Sequence, residues 1–177
     1  HLYYIITFLL PSIVSQDSIK PTFIEKTKFS ADSLVSVHEF DATFYVFENI
    51  LFRKSQDSKG IDIGYNNFQL GRITSVNTFN PLRINVFYKE FNTVVILDDQ
   101  LAELYSININ HFQPYKNISH ITTGLDDTIW IFNKDTQNLE LFNYKTNTFL
   151  IKTAPIKGTI LDLKSNYNTC WLLVYNQ

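Results

Sequence analysis

A single cysteine, and no cluster of cysteines with histidines, leave this 177-residue chain without an internal disulfide or a structural zinc set. An apolar core has to hold it instead, and 45% hydrophobic residues are enough for one domain or part of one. Charge of one sign is also lacking. Fifteen Lys and Arg against seventeen Asp and Glu give a net charge of −2, so the clustered basic charge that phosphate binding needs is missing and nucleic acid is not the expected partner. Glycine and proline number only five each, with no glycine-rich phosphate loop and no Gly-x-Ser-x-Gly elbow. Windows with apolar residues at i, i+3, i+4 and i+7 over ten or more positions are absent, which excludes helical repeats. What is abundant is aromatic: 15 Phe and 10 Tyr stand in short runs beside Ile, Val and Thr, the composition of strands.

The chain begins at His1, and Leu2 to Val14 is apolar except for Thr7, Pro11 and Ser12. This run is too short for a bilayer span, which takes about 20 residues, and matches the apolar core of a signal peptide. Cleavage after Gln16 suits the small Ser15 before it, so residues 1–16 are expected to direct export and 17–177 to form the folded part. A buried first strand is the competing reading. No Cys follows the apolar run, which disfavours an acylated lipoprotein. At the other end, Gln177 comes just after the strand-like Trp171-Leu172-Leu173-Val174-Tyr175, and the sequence reads as a fragment.

A repeat runs through the remainder. Leu34-Val35-Ser36-Val37, Ile73-Thr74-Ser75-Val76, Ile118-Ser119-His120-Ile121 and Ile160-Leu161-Asp162-Leu163 start 39, 45 and 42 residues apart. A second series centred on Phe44, Val86, Trp130 and Trp171 keeps step at 42, 44 and 41. A third series contains Leu51, Ile96 and Leu141, each 45 from the next. A weaker fourth is Ile61-Asp62-Ile63, Leu101-Ala102-Glu103-Leu104 and Phe149-Leu150-Ile151. Short polar breaks such as Asn49, Asp98-Asp99-Gln100 and Lys134-Asp135-Thr136-Gln137-Asn138 separate these runs as hairpin turns would. Four strands in roughly 40 to 45 residues is the period of a β-propeller blade. The expected fold is therefore all-β, an incomplete β-propeller of about four four-stranded antiparallel blades, with a β-sandwich or β-solenoid as alternatives. Phe23-Ile24-Glu25-Lys26-Thr27 has strand alternation and no repeat partners, and is expected to close a ring from the opposite terminus.

Thr128-Ile129-Trp130-Ile131-Phe132 followed by Leu139-Glu140-Leu141-Phe142-Asn143-Tyr144 resembles the blades of secreted bacterial propeller-like proteins. The stretch from Asn80-Pro81-Leu82-Arg83-Ile84 through Tyr88 to Phe91-Asn92-Thr93-Val94-Val95-Ile96-Leu97-Asp98 is similar in the same way. The Gly-His and Trp-Asp marks of WD40 blades are missing. The resemblance implies a fold and an envelope setting, and carries over no catalytic residue.

Candidate chemistry is sparse. Asp98-Asp99 and Asp126-Asp127 are paired carboxylates, but they sit in turn-like breaks where Asp caps its own backbone, without the oxygen spacing of a calcium loop. No metal site, catalytic set or cofactor is expected. Of His1, His38, His111 and His120 no pair has metal-ligand spacing, and His120 either points into the channel or ends a blade. Cys170 has no basic neighbour to activate it and reads as an inert thiol. Asn117-Ile118-Ser119 matches a glycosylation acceptor only as a short pattern.

In a blade, the loop between the second and third strands and the loop leading to the next blade share one face. Here they contain Tyr88, Lys89 and Phe91 in one place and His111, Tyr115 and Lys116 in the other. Aromatics beside cations suit recognition, so these six are the expected partner contacts. The expected function is a non-enzymatic binding or scaffolding propeller in the periplasm, at the outer membrane or outside the cell, recognising a protein or glycan, with no transmembrane span. The alternative is a glycan lyase or hydrolase, or a metal-dependent lactonase, with carboxylates facing the channel.

Overall fold

The computed structural model describes residues 30–37, 43–54 and 60–175. The expected export segment 1–16 and the strand expected at Phe23-Ile24-Glu25-Lys26-Thr27 lie outside the described residues. Three four-stranded antiparallel sheets and one two-stranded sheet follow one another along the chain. The first joins β1 (Ser33–Val37), β2 (Thr43–Phe47), β3 (Ile50–Lys54) and β4 (Ile63–Tyr65). The second joins β5 (Ser75–Asn77), β6 (Ile84–Tyr88), β7 (Thr93–Leu97) and β8 (Glu103–Asn108). The third joins β9 (Ile118–Thr123), β10 (Thr128–Asn133), β11 (Asn138–Asn143) and β12 (Thr148–Lys152). The fourth pairs β13 (Thr159–Ser165) with β14 (Cys170–Tyr175). Strand order equals chain order in every sheet, so each is a meander, and the first strands of neighbouring sheets approach one another. This is the arrangement of successive propeller blades, numbered 1 to 4 below.

Face-to-face packing explains why the middle strands are apolar on both sides. Ile84, Val86, Tyr88, Val95 and Leu97 of blade 2 pack on Phe44, Leu51 and Tyr65 of blade 1. The alternate residues Phe87, Val94 and Ile96 pack on Ile118, Ile129, Ile131 and Phe142 of blade 3. Every residue of β6 and β7 is buried in consequence. Trp130, Phe132 and Leu139 then meet Ile160, Leu163, Leu172 and Val174 of blade 4. The opposite face of blade 4, where Trp171 is 53% exposed beside Leu173 and Tyr175, has no sheet against it among the described residues. Trp130 lies opposite Thr122 and Trp171 opposite Lys164, corresponding places in β9 and β13, so the two tryptophans hold equivalent positions in neighbouring blades.

The expected strands shift at three places. The inner strand of blade 2 was expected over 73–76 and pairs over 75–77, because the Ile73 amide is taken by the Asn49 side chain at 2.8 Å. The outer strand of blade 2 was expected over 101–104 and begins at Glu103. Here the Asp98 carboxylate accepts from the amides of Gln100 and Ala102, which winds a turn that holds Leu101 at a φ of 59° with its side chain in the core. The outer strand of blade 1 was expected over 61–63 and pairs over 63–65, the Asp62 carboxylate instead accepting from the Tyr45 hydroxyl at 2.7 Å.

Two sets of polar contacts tie blade to blade. At the inner end, the Ser36 and Thr78 hydroxyls join blades 1 and 2. The Asn77 amide donates to the Thr122 hydroxyl at 2.8 Å, and Thr122 meets the Ser165 hydroxyl at 2.9 Å, joining blades 2, 3 and 4. The Ser165 hydroxyl also donates to the Thr123 carbonyl. On the loop face, an asparagine in or just after each second turn clamps the linker to the next blade: Asn49 donates to the Gly71 carbonyl, Asn92 to that of Lys116 and Asn138, the first residue of β11, to that of Thr153. Thr122 is fully buried, so its replacement leaves Asn77 and Ser165 short of a partner. Thr122→Val is expected to lower unfolding stability by about 1–3 kcal/mol in a denaturant titration, and Thr122→Ser to recover most of that loss.

Candidate functional site: the loop face and the axial groove

The turn between β6 and β7 and the linker from β8 to β9 fold into one platform. The Ile109 amide donates to the Asn92 carbonyl at 2.9 Å, and the Asn110 side chain donates to the Phe91 carbonyl at 3.1 Å. The Asn92 side chain spans to both Asn110 and the Lys116 carbonyl. Asn117 extends the platform by donating to Asp135 in the β10–β11 turn, so the amide of the glycosylation-like triplet is already engaged. On this platform Lys89, Phe91, His111 and Tyr115 are exposed. Phe91 leans over Gly71 of the preceding linker, where an added Cβ would come within 3.4 Å of its ring.

Two of the six residues expected on this surface lie elsewhere. Tyr88 is fully buried between blades 1 and 2, since a strand covered on both faces has no solvent side to offer. Lys116 is buried too, with its ammonium 2.6 Å from the Glu140 carboxylate of β11. Ile109 and Phe112 of the same linker are buried between the blades, the Phe112 ring packing on Phe142.

Lys89 also borders a second feature, a groove of about 280 Å³ along the inner strands β5, β9 and β13. Ser75, Asn77, Ser119, His120, Asp162 and Lys164 line it. His120 is thus directed to the groove, with its Nδ1 2.9 Å from the Ser119 hydroxyl. Burial pushes its pKa below the ordinary 6.5, the Lys89 charge adds to that push, and Asp162 opposes it. The groove offers ammonium, hydroxyl and amide donors, one carboxylate and an imidazole held neutral at pH 7. No local motif marks Asp162 and Lys164; their signal is the repeat itself, which aligns them with the inner strand that carries His120.

The paired aspartates stay apart from the groove. The Asp98–Asp99 and Asp126–Asp127 turns link first to second or third to fourth strands, at the ends opposite the loop face. Asp98 caps its turn, Asp126 has a φ of 52°, and Asp127 pairs with Arg83 at 3.7 Å and Lys145 at 3.5 Å. Among the described residues no group of three or more His, Cys, Asp or Glu converges as a metal site would require. Burial pushes the Cys170 thiol up to about 11, away from the thiolate form a nucleophile needs. No helix among the described residues is long and apolar enough to cross a membrane.

No family model and no curated protein matches the sequence. Solved structures do match in shape. Virginiamycin B lyase from Staphylococcus aureus superposes with a TM-score of 0.56 at 12% identity, covering 78% of this chain and 46% of its own. AztD from Citrobacter koseri gives 0.52 at 8% identity, covering 77% and 38%. The WD40 repeats of RRP9 give 0.54 at 11% identity, covering 79% and 47%. The fold is that of a β-propeller. At such identities the likeness extends to the fold alone, and the chain spans less than half the length of these three structures.

The groove's electrostatics can be checked directly. Because the folded protein holds His120 neutral below 6.5, the unfolded chain takes up its proton first as pH falls. The histidine's contribution to stability is therefore whole above about pH 6.5 and is lost progressively on acidification. In an NMR titration of the ring protons, Lys89→Ala is expected to move the His120 midpoint up toward 6.5 and Asp162→Asn to move it further down. A midpoint indifferent to both would separate these three side chains.

Proposed function

We propose that this chain acts by binding rather than catalysis, as a non-enzymatic propeller exported to the bacterial envelope that recognises a protein or glycan partner through its loop face. The observation that carries the reading is the cross-linked platform, in which Asn92 and Asn110 lock a turn to a linker and leave Phe91 and Tyr115 exposed beside Lys89 and His111. A platform fixed before binding loses little entropy on association, and exposed aromatics beside cations bury large area with few rotatable bonds. The test is a glycan array together with surface-immobilised envelope protein fractions, probed with the chain and with its Phe91→Ala, Tyr115→Ala double variant. Signals on the responding partner are expected to fall at least tenfold, about 1.4 kcal/mol, in the variant. Equal signals from both proteins would reject the loop face.

The export half of the proposal rests on the apolar segment Leu2 to Val14 and the small Ser15. A reporter joined after Asp17 is expected to leave the cytoplasm of a bacterial host when the chain's natural leader precedes it. Cytoplasmic retention would reject that half alone.

A second reading, a glycan lyase or hydrolase or a metal-dependent lactonase, draws on the axial groove. There a neutral imidazole stands between Lys89 and Asp162, as a proton acceptor would need, and one neighbour of like fold is a lyase. Turnover abolished by His120→Ala and untouched by the loop-face double variant would favour this reading over the first.

A further inference from the structure

The outermost strands of the three four-stranded blades occupy the same place in the fold but differ in what they show to solvent. β4 is three residues long with Gly64 at its centre, and β8 presents Glu103, Ser106 and Asn108, with Leu104 as its single exposed apolar residue. These are the usual means of blunting an unpaired edge. β12 does the opposite. Phe149, Leu150 and Ile151 are 40%, 55% and 49% exposed in succession, and no strand pairs with the outer side of β12 among the described residues.

Beside β12 lies a cleft of about 310 Å³, closed on its far side by Gln113, Pro114 and Lys116 of the linker. Its floor is charged. The Glu140 side chain, 2% exposed, meets the Lys116 ammonium at 2.6 Å and the Lys152 ammonium at 3.5 Å. Lys116 also lies 4.3 Å above the Phe149 ring, which packs against Phe112 and Phe142. Desolvating such a pair cancels much of its attraction, so stability alone is a weak reason for it to be there. Two ammoniums facing one carboxylate leave a surplus positive charge, and the Lys152 head is more than half exposed and free to turn outward.

We propose that β12 and this cleft receive an extended peptide segment in which apolar and acidic residues alternate. Backbone groups of the segment pair with the open side of β12, as in strand addition to a sheet edge. Side chains of a strand alternate between its faces, so one set of residues follows the pleat of the sheet. Acidic side chains of the segment enter the cleft and take the positive charge of Lys152 that Glu140 leaves unbalanced, and the apolar ones, on the other face, cover Ile151, the neighbour of Lys152 that pairs with Leu141. This docking site differs from the loop face, because Phe91, His111 and Tyr115 do not line it, and each can fail without the other.

The probes are fluorescein-labelled nine-residue peptides: one alternating valine with aspartate, one alternating valine with lysine, and one with valines and aspartates in separate blocks. Binding to the full chain is read by anisotropy and by amide NMR shifts. The alternating acidic peptide is expected to saturate, with amide shifts concentrated in β12 and at Gln113 and Lys116, and to bind at least tenfold more tightly than the other two. Ile151→Asp and Lys152→Gln, both at exposed positions, are each expected to weaken it at least tenfold while the chain keeps a cooperative thermal melt. Absence of binding, equal binding of the lysine peptide, or shifts centred on Trp171 and Leu173 would overturn the proposal. Concentration-dependent shifts of β12 without any peptide would overturn it in favour of a second copy of the chain.

Discussion

Each sheet in this molecule can exist only with another sheet on its face. A four-stranded meander with apolar residues on both sides has no solvent side of its own, and blade 2 meets that constraint by lying between Phe44 and Leu51 of blade 1 and Ile129 and Phe142 of blade 3. Neighbours of this kind hold the described sheets by apolar burial, in keeping with a sequence that has one cysteine and so no internal disulfide. They also fix the register between blades, because the hydroxyl and amide contacts through Thr78, Thr122 and Ser165 form only when the inner strands are level. Both candidate sites are by-products of this stacking: the groove runs along the inner strands that the ladder holds level, and the loop platform is the seam where one sheet hands the chain to the next.

How much of this was legible depended on how local the cause was. Second and third strands stood out because their apolar cores recur at a fixed interval and their turns are two- to five-residue polar breaks. The outer strand of blade 2 was misplaced because one aspartate, Asp98, wound Leu101 into a turn, and an apolar residue in a turn looks like the start of a strand. Tyr88 was placed on the surface because a strand buried on both faces shows no alternation by which to tell inside from outside. Lys116 was misjudged for a different reason: its partner Glu140 is remote in sequence, on β11, and nothing near the lysine announces a buried carboxylate. His120 is legible as a possible channel residue, but His120, Lys89 and Asp162 come from three different elements, and their meeting has no signature in any one of them.

The scarcity of glycine, unusual for so many hairpins, has its own physical explanation. Positive φ is adopted by Glu48, Asn49, Asn92, Leu101, Asp126, Gln137 and Asn147, all in turns between strands. Asparagine tolerates this conformation better than most residues, and its side chain can still hydrogen-bond. Asn49 and Asn92 use that freedom twice, reversing the chain and clamping the linker to the next blade, which a glycine could not do. In the two-residue turn at Glu48 and Asn49 both residues have positive φ, the twist that matches paired strands.

The matched register of the two tryptophans gives the molecule a built-in optical ruler. Trp130 sits against blade 4 in an apolar seam, while Trp171, one blade on, faces water. Two indoles in the same local geometry then differ mainly in their surroundings, so the first emits at shorter wavelength and resists aqueous quenchers, and the second emits to the red and is quenched. Any body that covers the far side of blade 4 brings the second indole into surroundings like those of the first, so the width of the emission band reports whether that face is covered.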